Sequence, residues 1–345
     1  MKLKQSFLIA LTLIIIALTS WELYWRSQGK YPNLNDDKAL WAMHRANVET
    51  ASKDDVIIFG SSRAYFDIQI DEWEKATGKK PIQLASPGSS PLPSFHDLVN
   101  NTSFNGTVIL GVTPGLFFST TYPGADPWSR IQTKVDHFYN RTYADRSNFW
   151  LSIPLQTNLV LMSADEELWS DDIDLKSLLR RVKIGDRTGN PQMPPFYSFG
   201  DVRLDRNMSM TKRTVQDTAF ANSIIKVWSY LGKSAPPPDK KSTMAFFLED
   251  LKKFKERNGK LILLRCPSSG GNRMGENMVF PRVDFWDDLV EQSDVPSYHF
   301  EDYDQLKDLT CPEESHLSKE DAEYFTRELA KIIIEDGIII NSKTK

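Results

Sequence analysis

Val56-Ile57-Ile58-Phe59-Gly60-Ser61-Ser62-Arg63 is the stretch on which the reading of the whole chain turns. Four apolar residues, three of them β-branched, run straight into Gly-Ser-Ser. That is the pattern of a fully buried strand ending in a tight turn that presents a hydroxyl. Similar short runs follow from Pro81 to Ala85, from Thr107 to Val112, from Leu261 to Leu264 and, more weakly, from Val295 to Phe300. Helical patterns fall between them: Ala39 to Ala46, Ile70 to Thr77 stopped by Gly78, Ser94 to Val99, Met244 to Arg257 closed by Asn258 and Gly259, and Lys319 to Ile334. Strands alternating with helices imply an α/β fold with a parallel sheet covered on both faces.

The chain has 345 residues, 40% of them hydrophobic and 11% aromatic, enough for one large α/β domain or two smaller ones. A formal net charge of -4 leaves no basic face for a nucleic acid, and that class of partner is set aside. At the N-terminus, Lys2 and Lys4 precede an apolar run from Phe7 through Trp21, closed by Tyr24 and Trp25. This is the pattern of a signal anchor over residues 1–26 with the rest of the chain extracytoplasmic, periplasmic or extracellular. The run is short for a span, which is the mark of a cleaved signal peptide, but no small-x-small cleavage site stands near Thr19 and Ser20.

Residues 27–54, polar and carrying Pro32, Asn33 and Asn35, read as a stalk. The α/β domain is expected in two parts, 55–115 and 244–345. Between them, residues 116–243 lose the strand-helix rhythm, with irregular helical patches at Ile173 to Val182 and Thr214 to Leu231 before Ala235-Pro236-Pro237-Pro238. This region reads as an insertion capping the carboxyl ends of the strands, with a separate small domain as the alternative. Cys266 and Cys311 lie in an exported segment, so a disulfide and two buried free thiols are both open. No cofactor or metal is expected.

In an open α/β sheet, ligands bind outside the carboxyl ends of the strands. Four loops gather there: Gly60-Ser61-Ser62-Arg63, Ser86-Pro87-Gly88, Gly111-Val112-Thr113 and the loop after Arg265. A serine there is by itself most simply a helix cap. Near the C-terminus, however, Cys311-Pro312-Glu313-Glu314-Ser315-His316-Leu317-Ser318 sets a carboxylate three residues before a histidine. In a compact turn Glu313 can accept a hydrogen bond from the His316 imidazole, fix its tautomer and support it as the base for a serine. Arg265, Ser269, Arg273 and Arg282 belong to a loop expected over the site, where they would hold an anionic or sugar substrate. His96, His137 and His299 have no partner motif and read as structural.

These blocks resemble the SGNH (GDSL-like) hydrolase superfamily, and within it the membrane-tethered branch whose first block reads Gly-Ser-Ser, as in the acyltransferases that acetylate alginate or D-alanylate teichoic acid. The resemblance covers Val56 to Val112 and Lys260 to Glu335. It implies a three-layer flavodoxin-like parallel sheet, Ser62 as nucleophile, His316 as base and Glu313 in place of the family's Asp. Ser62 and Gly88 would supply oxyanion-hole N–H groups. The family's third-block Asn falls at Thr113, a shorter donor that competes with local partners. The resemblance also implies an acyl ester of a surface glycan as substrate, the membrane as anchor and an integral-membrane acyl donor as partner. The alternative is a decayed hydrolase fold that binds glycan within a membrane complex.

Overall fold

The computed structural model describes residues 3–119, 121, 125–162 and 194–339. In chain order, α1 (Leu3–Ser27) and α2 (Lys38–Ala46) precede β1 (Val56–Phe59), α3 (Ser62–Asp67), α4 (Ile70–Thr77), β2 (Ile82–Gln83), α5 (Leu92–Asn101) and β3 (Thr107–Gly111). Then come α6 (Pro114–Phe117), α7 (Asp126–Asn140), α8 (Tyr143–Asn158), β4 (Gly200–Val202), β5 (Met208–Met210), α9 (Lys212–Gln216) and α10 (Thr218–Ser234). The chain closes with α11 (Lys240–Glu256), β6 (Lys260–Arg265), α12 (Gly270–Val279), α13 (Asp288–Ser293), β7 (Ser297–His299) and α14 (Lys319–Glu335). The helical patch expected at Ile173 to Val182 lies outside the described residues.

Five parallel strands form one sheet in the order β2-β1-β3-β6-β7. Because side chains alternate across a strand, β1 sends Val56 and Ile58 to one face and Ile57 and Phe59 to the other. The first face is filled by Trp73 of α4, by Phe325, Leu329 and Ile333 of α14, and by Met208, Met210, Phe220 and Ile224. The second is filled by Trp41 of α2, Phe95 and Leu98 of α5, Ile131 and Val135 of α7, and Phe247, Leu251 and Phe254 of α11. Both faces being buried is why the central strands read as unbroken apolar runs.

The β2 edge is short because a side chain takes over its outer carbonyls. Arg206, fully buried beside the antiparallel β4–β5 hairpin, donates to Gln83 O at 2.7 Å and Ala85 O at 2.9 Å and lies over the Tyr65 ring. An edge covered in this way is closed to further strand pairing.

Two compact units make up the chain. One comprises residues 1–36 and 142–190, the other 37–141 and 191–345. This division corrects two expectations. Residues 27–54 are not a stalk throughout: α2 is core, with Leu40, Trp41 and Ala42 fully buried and Trp41 Nε1 donating to Leu84 O at 3.0 Å. Nor are residues 116–243 one cap. Helix α7 packs on α2 and α5, α8 belongs to the same unit as α1, and only residues 194–234 gather around the hairpin and α3. Helix α1, 25 residues with a long apolar central stretch, is long and apolar enough to cross a membrane.

Candidate functional site

At the end of β1 the backbone makes a turn that only glycine fits. A Cβ on Gly60 (φ 155°) would stand 2.5 Å from the Ala64 Cβ and 3.3 Å from Gly111 Cα. Its absence lets α3 start at Ser62 directly over the ends of β1 and β3. Ser61 is the N-cap, yet its hydroxyl pairs with the Thr113 hydroxyl at 2.6 Å across those strand ends. The Ser62 hydroxyl makes no hydrogen bond among the described residues.

Helix α3 is stitched along its length to residues 313–317. Arg63 Nε donates to Ser315 O at 3.1 Å, the Phe66 ring lies 4.7 Å from the His316 ring, and Leu317 N–H donates to Asp67 Oδ1 at 3.0 Å. Phe66 stands one turn beyond Ser62 on the same helical face. The helix that begins with the serine is therefore the one packed against the histidine ring.

The Glu313–His316 turn is held by backbone and side-chain bonds. Glu314 takes the left-handed conformation (φ 71°), its N–H donating to Cys311 O at 2.9 Å and its carboxylate accepting from Asn272 N–H at 3.0 Å. That reversal turns Glu313 inward, where both it and His316 are buried. Glu313 Oε1 accepts from His316 Nδ1 at 2.9 Å, from His316 N–H at 2.5 Å and from Ser315 N–H at 3.2 Å. Its Oε2 accepts from Trp228 Nε1. A carboxylate can only accept, so the imidazole proton sits on Nδ1 and Nε2 is left as the lone-pair nitrogen. Nε2 is buried and has no hydrogen-bond partner among the described residues. Rings of Phe66, Phe199 and Trp228 surround the imidazole at 4.7, 5.4 and 5.8 Å.

Beside this turn lies a buried ion triad. Glu276 pairs with Arg63 (Nη2 to Oε1, 2.6 Å) and with Arg265 (Nη2 to Oε2, 2.6 Å). Burial alone would raise the Glu276 carboxyl, but the two guanidinium groups hold it down at about 2. Asp67, fully buried, is pushed the opposite way by desolvation, well above the usual carboxylate range, against the Leu317 N–H bond and the Arg63 charge. Cys266 and Cys311 are both buried free thiols, raised by the same desolvation.

Arg265, Ser269, Arg273 and Arg282, expected to face a substrate, are each engaged by a partner within the protein. Arg265 is buried in the triad, and the Ser269 hydroxyl bonds both the O and the N–H of Cys311 at 3.1 and 3.0 Å. Arg273 pairs with Glu301 over the Phe300 ring, and Arg282 forks onto Asp302 at 2.7 and 2.8 Å. A cleft lined by Val112, Arg265, Glu276, Arg282 and His299 is thus walled by charges already matched. His299 there is buried and its ring held neutral, its pKa lowered to about 2 by burial and then by the charge of Arg265.

Gly88, expected as an oxyanion donor, has φ 61°, and a Cβ there would stand 2.3 Å from Nη1 of Arg130. Arg130, from the first turns of α7, is exposed and carries no ion pair or hydrogen bond among the described residues. Arg130, Phe199 and Trp228 are the site residues that sequence reasoning missed. Each comes from the irregular segment 116–243, where no spacing ties it to the blocks it meets. No family model, no curated protein and no solved structure matches this chain.

Proposed function

We propose that the chain is a membrane-anchored, extracytoplasmic serine hydrolase or O-acyltransferase of the SGNH type, working on acyl esters of a surface glycan. The observation that carries the reading is the buried, unpartnered Nε2 of His316 on a ring fixed by Glu313 and seated on the helix that starts at Ser62. A buried acceptor without a donor is costly, and a base awaiting a proton accounts for it. The strand order, which is flavodoxin-like when the β4–β5 hairpin is left out, supports the same class. In that order the chain reverses direction between β1 and β3, where Ser61 and Thr113 meet.

Ser62 Oγ attacks the acyl carbonyl as its proton passes to His316 Nε2. The C–O bond to the glycan oxygen then breaks, and that oxygen takes the proton from Nε2, leaving Ser62 acylated. Water or an acceptor hydroxyl reverses the sequence through the same nitrogen. Glu313 stabilises the imidazolium while it lasts. The Ser62–His316 hydrogen bond is not formed in the free protein; such contacts commonly tighten only when substrate binds. With the loop arginines engaged elsewhere, Arg130 over Gly88 is the cation set to meet an anionic group on the substrate. An integral-membrane acyl donor would supply a transferase, and the anchor would keep the domain beside it.

The Thr113 hydroxyl, already bonded to Ser61, favours a second reading, a decayed site that binds glycan without turnover. A fluorophosphonate probe separates the two. Covalent labelling is expected, lost in Ser62→Ala and slowed on the order of 1000-fold or more in His316→Ala. A folded wild-type protein that takes no label would leave the binding reading.

A further inference from the structure

In the unit containing α1, helix α8 carries an apolar surface that no other described residue covers. Helix α8, opened by a Thr142–Asp145 capping box, leaves Tyr143 80%, Trp150 59%, Leu151 72% and Leu155 43% exposed. With the exposed Pro154, these residues fall at offsets of 0, 7, 8, 11 and 12 from Tyr143, a single stripe along the helix. Phe149, on the other side, is buried. A stripe holding a Trp, a Tyr and two Leu is far larger than the scattered apolar residues of an ordinary surface.

The occupant is argued from where α8 is fastened. The turn after it is clasped by the C-terminal end of α1: the Glu22 carboxylate accepts from Val160 N–H at 2.9 Å and from Leu161 N–H at 3.0 Å. Arg26, paired with Glu22 at 2.7 Å, donates to Asn158 O at 2.6 Å, and Gln156 accepts from Asn35 N–H at 3.1 Å. Trp21, Tyr24 and Trp25 cluster at the same level, with ring centroids 5.7 and 5.2 Å apart. Aromatic rings next to the first ionisable residues after an apolar run mark the edge of the hydrocarbon layer. The 25 residues of α1 rise about 37 Å against a layer of about 30 Å, so its last turns reach the headgroups.

We propose that α8 is an interfacial helix that lies in the headgroup region of the extracytoplasmic leaflet, with Tyr143, Trp150, Leu151 and Leu155 against the acyl chains. The proposal rests on α1 spanning the membrane. Its partner is the lipid surface itself, and the Glu22–Arg26 clasp sets the depth at which the helix lies. Interfacial helices of this kind sink about 5–10 Å into the headgroup and acyl boundary.

Full-length protein in phosphatidylcholine/phosphatidylglycerol nanodiscs tests this, with an environment-sensitive fluorophore placed by Leu151→Cys or, separately, Ile14→Cys; Cys266 and Cys311 are buried. At Leu151 the expected result is blue-shifted emission, quenching by lipids brominated on the acyl chains and protection from aqueous iodide. Lipid quenching at Ile14 with iodide access at Leu151 would overturn the proposal while leaving the span intact. Protection from both quenchers at Leu151 would overturn it in favour of a second copy or another protein on the stripe. No lipid quenching at either position would remove the span and the proposal together.

Discussion

Glu313 accepts more hydrogen bonds than any neutral design would need: two backbone N–H groups, the imidazole Nδ1 and the Trp228 indole. Three of these donors, the N–H groups of Ser315 and His316 and the imidazole Nδ1, are local and follow from the Glu-x-x-His spacing. The indole arrives from α10, eighty-five residues away in sequence. A hydrogen bond to a charged group contributes about 1.5–3 kcal/mol. Trp228→Phe keeps a ring against His316 and removes that bond alone, so the labelling rate at Ser62 is expected to fall about tenfold and the melting temperature by about 3–10 °C. Stopped-flow labelling and calorimetry on the same sample check both halves. An unchanged rate would make the indole a packing residue only. The Gly-Ser-Ser turn that ends β1 and the Glu-x-x-His turn were legible in the sequence because both depend on neighbours in the chain. Trp228 was one of nine tryptophans with nothing local to mark it.

At the scale of elements, α3 is the hinge of the site, held on one side by the glycine-lined strand ends and on the other by the Arg63–Glu276–Arg265 triad. Glu276 titrates near 2 in the folded protein, against an ordinary value of 4.5. A depressed carboxyl stabilises the fold fully above its ordinary value and loses that contribution as pH falls from 4.5 towards 2, about 3 kcal/mol in all. Glu276→Gln is expected to lower stability at pH 7 by about 3–5 kcal/mol, because two buried guanidinium groups lose their counter-charge. It should also flatten the acid limb of the stability profile over that window, as read from urea midpoints at stepped pH. Asp67 works against this trend: its carboxyl stays protonated in the fold above the ordinary value, where the unfolded chain's Asp has ionised, so its contribution falls as pH rises through that window. The sequence suggested arginines poised over a substrate; the fold buries Arg265 against Glu276 and leaves Arg273 and Arg282 half-buried on Glu301 and Asp302, because a carboxylate within reach offsets the desolvation of a guanidinium.

For the molecule as a whole, helix α2 shows where domain boundaries drawn from composition go wrong. Its surroundings in sequence are polar, yet Trp41 is fully buried and bonds Leu84 O beside the sheet edge. Trp41→Ala is expected to destabilise the sheet domain by about 3–5 kcal/mol, measured by denaturant unfolding. A change under 1 kcal/mol would return α2 to the status of a tether. The α/β class, the strands β1, β3 and β6, the Ile70–Thr77 helix stopped by Gly78 and the apolar N-terminal helix were determined by the sequence alone. Burial on both faces, a left-handed glycine cap and the length of an apolar run are local properties that a chain carries wherever it folds. Only the tertiary structure decided which arginines are spent on internal ion pairs, that α2 is core, that Phe199 and Trp228 enclose His316, and that Arg130 stands over Gly88. Each of these depends on groups brought together from distant parts of the chain, and their energy comes from burial and charge pairing that no local window contains.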